Sequence, residues 1–170
     1  MPAVARKKLS RDKVVTDHRS LAAILSGLMA QGKTVVLTNG VFDLLHVGHV
    51  RCLEDARSRG DFLVVAVNAD AAVTRLKGKG LPIVREDERM EVVAGLTSVD
   101  YVTSFAEDTA DELLRKLRPS LYAKGTEYTL KTLPERETLK ELDIKAVFVG
   151  DKKSHASSEM IQRIRKAKLA

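Results

Sequence analysis

Apolar and polar positions along this chain follow two alternating rhythms. Leu21, Ile24, Leu25 and Leu28 recur at helical spacing until Gly32 ends the run. The unbroken Thr-Val-Val-Leu-Thr stretch at 34–38 then predicts a strand, Asn39-Gly40 a turn, and 46–59 a second helix closed by Gly60. Phe-Leu-Val-Val-Ala-Val at 62–67 is another continuous apolar run. Strands without polar alternation suit a parallel sheet covered on both faces. The rhythm then repeats. Helices near 86–96, 109–117 and 135–142 interleave with strands near 101–104, 121–124 and 146–149. A last helix at 157–168 places Met160, Ile161 and Ile164 on one side, and Gly78-Lys79-Gly80-Leu81-Pro82 predicts a mobile loop at mid-chain. The expected architecture is a single α/β domain, an open parallel sheet of about five strands with helices on both faces and right-handed crossovers.

Composition agrees with a packed domain. At 170 residues the chain suits one such unit, and 44% hydrophobic with 31% charged residues excludes a disordered chain. No run approaches the roughly 20 apolar residues that span a bilayer. The basic N-terminus lacks the apolar segment of a secretory signal, so a cytoplasmic protein without a membrane partner is expected. Cys52 is the only cysteine, which excludes an internal disulfide and a cysteine-based zinc cage. Its place in a helix reads as a small buried hydrophobe. The net charge of +6 sits at the ends: residues 1–13 carry +4 and 152–170 carry +5, leaving −3 on the body. Such tails read as solvated rather than as a nucleic-acid face, so no nucleic-acid partner is expected. Residues 1–12 are expected to form a flexible basic leader and 13–170 the folded domain.

In an open α/β sheet, ligands bind beyond the carboxyl ends of the strands. The first such place runs from Thr38 to His49, where helix-start amides and the helix dipole favour phosphate. Neither a dinucleotide fingerprint nor a P-loop is present. His46 and His49, three residues apart at a helix start, share one side and can donate hydrogen bonds to a phosphoryl group. The remaining histidines, His18 and His155, give no metal spacing, so no metal ligand is assigned.

The segment Gly40-Val41-Phe42-Asp43-Leu44-Leu45-His46-Val47-Gly48-His49 resembles the signature of the HxGH nucleotidyltransferase superfamily, cytidylyltransferase-like branch. Val67-Asn68-Ala69-Asp70, the run from Arg75 through Lys77, Lys79 and Gly80 to Pro82, Glu88-Arg89, and Lys124-Gly125-Thr126-Glu127-Tyr128 follow in the family's order. Together they are most similar to the heptose 1-phosphate adenylyltransferases, the ADP-heptose synthases of lipopolysaccharide core assembly, over roughly residues 13 to 165. The resemblance implies a Rossmann-like fold and transfer of AMP from ATP to a sugar 1-phosphate, with Mg²⁺ on the nucleotide and pyrophosphate as the leaving group. It implies that His46 and His49 stabilise the transferring phosphoryl group, with Lys77 and Arg89 facing the phosphates. Asn39, Gly40, Val41, Phe42, Gly48 and Lys79 would hold the nucleotide, and so would Lys124, Gly125, Glu127, Tyr128, Ser157 and Ser158. Asp43, Asn68 and Asp70 would meet the acceptor. Homodimers are common in the resembled family.

Each role has a plain structural alternative: an Asx cap for Asp43, a solvated loop for Lys77 and Lys79, a surface arginine for Arg89. Two departures from the family pattern stand out. Ser154-His155-Ala156-Ser157-Ser158 replaces an Arg-Ser-Thr-Thr run, putting His155 where arginine is expected, and Glu127 replaces an aspartate. Two other readings therefore remain beside the adenylyltransferase. One is a cytidylyltransferase using CTP and glycerol 3-phosphate, phosphoethanolamine or a related small phosphate; the other is a non-catalytic nucleotide- or RNA-binding module.

Overall fold

The computed structural model describes residues 9–151 and 156–167. Its elements are α1 (His18–Ala30), β1 (Val35–Gly40), α2 (Val47–Ser58), β2 (Phe62–Asn68), α3 (Asp70–Lys77) and α4 (Glu86–Ala94). They continue with β3 (Tyr101–Phe105), α5 (Asp111–Leu117), β4 (Leu121–Gly125), α6 (Arg136–Glu141), β5 (Lys145–Val149) and α7 (Ser157–Lys166). All five strands are parallel, in the order β3-β2-β1-β4-β5. This is the Rossmann-like sheet the apolar rhythm predicts. After β3 the chain returns to the other side of β1, so the connections leaving β1 and β4 part at their carboxyl ends and open a crevice there.

The sheet is buried on both faces, which is why its strands read as unbroken apolar runs. On one face Val35, Leu37, Val64 and Tyr122 pack with Leu21 and Leu25 of α1, Leu113, Leu114 and Leu117 of α5, and Leu139 of α6. On the other, Val36, Leu63, Val65 and Ala123 pack with Leu53 and Ala56 of α2 and Met90, Val93 and Ala94 of α4. Helix α1 starts where Asp17 accepts from the Ser20 backbone N–H at 2.9 Å, a side-chain N-cap. Among the described residues no helix is long and apolar enough to cross a membrane.

The structure departs from the sequence reading in four places. Asn39 and Gly40 are not a turn; they are the last residues of β1, paired with Ala66 and Val67. An additional helix, α3, fills 70–77, with Ala72 and Val73 buried and Gly78 at φ 99° ending it. The last helix stops at Lys166, and its apolar side is only half covered: Met160 and Ile161 are half-buried while Ile164 is exposed. Residues 1–8 of the expected leader, like Ser154 and His155, lie outside the described residues. Residues 9–12 of that segment, with Lys13 at the start of the expected domain, are docked. Ser10–Lys13 forms a 3₁₀ turn, Arg11 pairs with Glu91 at 3.1 Å, and Lys13 donates to the Leu96 carbonyl at 3.0 Å. Val14 then bridges Val102 at the edge of the sheet.

Candidate active site

A cleft of about 710 Å³ opens at the switch point, over the carboxyl ends of β1 and β4. Its lining includes the β1 exit from Asn39 to Asp43, the α2 start with His46, Gly48 and His49, and Asn68 at the end of β2. Lys77, the stretch from Lys124 to Tyr128, and Ser157 and Ser158 line it as well.

The two histidines are held as a unit. His46 is the N-cap residue of α2, in extended backbone, and His49 lies in the first turn. Their rings stack with centroids 3.9 Å apart, and the Phe42 ring leans on His49 at 5.4 Å. The His46 backbone N–H donates to Nδ1 of His49 at 3.4 Å. That bond requires Nδ1 to be the acceptor, so in the neutral ring the proton resides on Nε2. Desolvation, reinforced by His46 and then Lys77, lowers the His49 pKa from 6.5 to about 4. His49 is therefore a neutral donor near pH 7. Between pH 6.5 and about 4 the unfolded chain binds a proton at this residue that the folded chain refuses, so stability is lost as pH falls through that window. His49→Asn is expected to flatten this acid slope of the melting temperature; a slope unchanged from the parent chain would show that His49 does not carry it.

The loop between β1 and α2 is fixed from behind. Phe42 is buried and takes a left-handed φ of 51°, which a bulky residue adopts only under tertiary constraint. A Cβ on Gly40 would stand 3.0 Å from the Phe42 ring, so glycine lets strand and ring close on each other. Asp43 does not cap the local turn. Its carboxylate accepts from the backbone N–H groups of Ile83 (2.9 and 2.8 Å) and Val84 (2.8 Å), tying the α3–α4 connection to the cleft wall.

Arg89 corrects the expectation that it faces the phosphates. It is 1% exposed, lies beneath the cleft and is not part of its lining. Its guanidinium donates to the carbonyls of Val84 (2.9 Å), Val41 (2.5 Å) and Asn68 (2.9 Å) and to Asp70 Oδ1 (2.6 Å). The fork thus joins the ends of three segments that border the cleft. Asp70, expected at the acceptor, is instead this arginine's partner and also stands outside the lining. Lys79, between Gly78 and Gly80, is exposed and is not brought to the cleft wall either.

At the carboxyl end of β4 lies a polar cluster that the sequence only partly revealed. Lys124 Nζ donates to Asn39 Oδ1 at 3.0 Å, Tyr122 donates its hydroxyl to the same oxygen at 2.6 Å, and Lys124 lies 4.8 Å from the Tyr128 ring centroid. Burial lowers the Lys124 pKa, opposed by the charges of Glu135 and Glu127. Burial, with the charge of Glu135 beside it, pushes the Tyr122 hydroxyl well up, so it stays a neutral donor. Glu127 folds over Gly125, where any Cβ would collide with its carboxylate. The sequence marks Glu135 only as a helix start and Tyr122 only as a strand residue; nothing in their local pattern separates a cleft wall from core. Cys52 also lines the cleft, half-buried rather than fully so, and burial pushes its thiol up to about 11, leaving it protonated. Ser157 Oγ donates to the Leu44 carbonyl at 2.9 Å, drawing the α7 start onto the loop that precedes His46.

Comparisons with known proteins identify the family. The family model described as "Cytidylyltransferase-like" matches residues 37–166, from the middle of β1 to the end of α7. The chain is 44% identical over 156 residues to "Bifunctional protein HldE" of Geobacter sulfurreducens, covering 92% of this chain and 32% of that protein. It is 43% identical over 164 residues to the protein of the same name from Azotobacter vinelandii, covering 96% and 34%. The chain thus spans about a third of the length of these relatives. Among solved structures, a lipopolysaccharide core biosynthesis protein from Thermoplasma volcanium superposes with a TM-score of 0.61 at 28% identity, over 72% of this chain and all of that one. The family model spans the stacked histidine pair and most of the chain, and the chain belongs to the cytidylyltransferase-like family of nucleotidyltransferases.

Proposed function

We propose that this chain transfers AMP from ATP to D-glycero-β-D-manno-heptose 1-phosphate. A phosphate oxygen of the acceptor attacks the α-phosphorus in line, the bond from that phosphorus to the α,β-bridging oxygen breaks, and pyrophosphate leaves. ADP-heptose is the product. One observation carries the reading: a neutral histidine, its Nδ1 engaged by the His46 backbone N–H, is held at a helix N-terminus in the cleft. Such a donor stabilises charge that grows on the phosphoryl oxygens during transfer and needs no reorganisation when it does. Lys77, close enough to His49 to lower its pKa, and Lys124, also in the cleft wall, add fixed positive charge. Mg²⁺ enters with the triphosphate as part of the substrate; among the described residues no cluster of three or more His, Cys, Asp or Glu side chains is placed to hold a metal. The need for ATP argues for a cytoplasmic enzyme. The choice of heptose rests on the likeness to the HldE proteins and to the heptose 1-phosphate adenylyltransferases.

The test is pyrophosphate release from ATP, CTP, GTP and UTP against a panel of phosphorylated acceptors. Turnover confined to ATP with heptose 1-phosphate is the expected result. Turnover with CTP and glycerol 3-phosphate or phosphoethanolamine would overturn it in favour of a cytidylyltransferase, and none with any pair would favour a binding module.

A further inference from the structure

We propose that Glu135 recognises a hydroxyl group of the acceptor sugar, so that the α5–α6 side of the cleft is a polyol subsite. This rests on the reading of the chain as a transferase acting on a sugar phosphate. Glu135 is 2% exposed yet lines the cleft. Its Oε1 accepts from the Ala110 backbone N–H at 3.2 Å, which anchors the side chain at the start of α5. Its Oε2 has no hydrogen-bond partner among the described residues. Buried carboxylate oxygens are nearly always satisfied, and an exception in a cleft wall marks a place where something else donates. The Tyr122 hydroxyl lies within hydrogen-bonding reach of Glu135 but also 2.6 Å from Asn39 Oδ1, and its single proton cannot serve both oxygens, so the buried carboxylate still has room for a further donor.

The chemistry of the missing donor follows from position and charge. A carboxylate repels phosphate, and the ATP triphosphate carries no donor at neutral pH. The histidines stand at the start of α2, whose core side chains pack on one face of the sheet; α5 and α6 pack on the other. Phosphates therefore belong on the α2 side, and a neutral O–H donor belongs at Glu135. Lys124, between the two, is placed to hold the acceptor's phosphate while Glu135 takes a hydroxyl of the same molecule. A heptose supplies several such hydroxyls, and a carboxylate built to accept from one rejects an analogue that lacks it.

The experiment compares the full chain with its E135Q variant. Glutamine keeps an oxygen for the Ala110 N–H and the same volume but puts an amide N–H₂ where Oε2 stood. The KM for heptose 1-phosphate is expected to rise by about tenfold or more while the KM for ATP moves less than about twofold. With singly deoxygenated heptose 1-phosphates, one analogue should be a poor substrate for the parent chain and lose that penalty in E135Q. Melting temperature shifts measured on the parent chain with the same analogues give an arm that does not depend on the variant folding: one analogue should stabilise it distinctly less than heptose 1-phosphate. An unchanged acceptor KM in E135Q would overturn the proposal. So would a rise in the ATP KM alone, which would assign Glu135 to ribose or base, or equal stabilisation by every analogue. Absence of turnover by the parent chain with any sugar 1-phosphate would overturn the transferase reading itself, and this proposal with it.

Discussion

His46→Ala and His49→Ala are each expected to lower kcat by about 10²–10³, or roughly 3 to 4 kcal/mol of transition-state stabilisation. The reason is timing. In the proposed transfer Nε2 of His49 would meet a phosphoryl oxygen whose charge grows as the α-phosphate transfers, so the loss should fall on turnover more than on ATP affinity. The rings are stacked 3.9 Å apart and act on one region of charge, so the double variant should lose less than the sum of the single losses. His49→Ala also frees the His46 backbone N–H, which adds a stability cost of about 1 kcal/mol by analogy with a lost N-cap. Turnover and melting temperature measured on the same preparations separate the two contributions. Near-normal kcat in both single variants, with only the melting temperature reduced, would make the pair a helix cap and remove it from the chemistry.

The histidines were legible in the sequence because their chemistry and their spacing coincide in one short segment. Three residues apart at a helix start is enough to put them on one side, and Gly40, Phe42 and Gly48 around them complete a string with few other uses. The sheet was legible for a related reason. Strands covered on both faces carry no polar alternation, so 34–38 and 62–67 announce themselves without any knowledge of what covers them. Boundaries were less so: β1 runs through Asn39-Gly40 because pairing with Ala66 and Val67 outweighs the local turn preference of that dipeptide.

What sequence misses is where a polar residue ends up when its partners are far along the chain. Asp43 meets Ile83 and Val84 across forty residues, and Glu135 meets Ala110 across twenty-five. Neither contact has a local signature. Helix α3 was missed because its buried stripe consists only of Ala72 and Val73, small residues that raise no hydrophobic peak. Asp70 at its start, Arg75 and Lys77 in its last turn and Gly78 after it were the available signals. Arg89 shows the opposite error. An arginine among charged residues in 86–91 reads as a solvated or ligand-facing side chain, yet it carries the largest fully buried side chain described.

Arg89→Met is expected to destabilise the fold by roughly 3–5 kcal/mol, the range seen when one member of a buried charged network is removed. Methionine keeps much of the length and apolar stem but donates nothing. Val84, Val41 and Asn68 would lose the guanidinium donors that their carbonyls face, two of them at the cleft rim, and Asp70 would lose its ion pair. The pair with Asp70 is the minor part, since that carboxylate is 45% exposed and water can replace the arginine. Loss of the donors to these three carbonyls, one buried and two partly so, dominates. For a chain of this size the melting temperature should fall by roughly 10 °C. Activity should fall with it, through raised KM values for both substrates as the Val41 and Val84 segments lose their common tether. Arg89→Lys should recover little, because a single ammonium cannot reach carbonyls arranged around a planar fork. A side chain that touched phosphate would behave differently: kcat would fall steeply while the melting temperature held. That pattern in Arg89→Met would return Arg89 to the catalytic group from which its burial removes it.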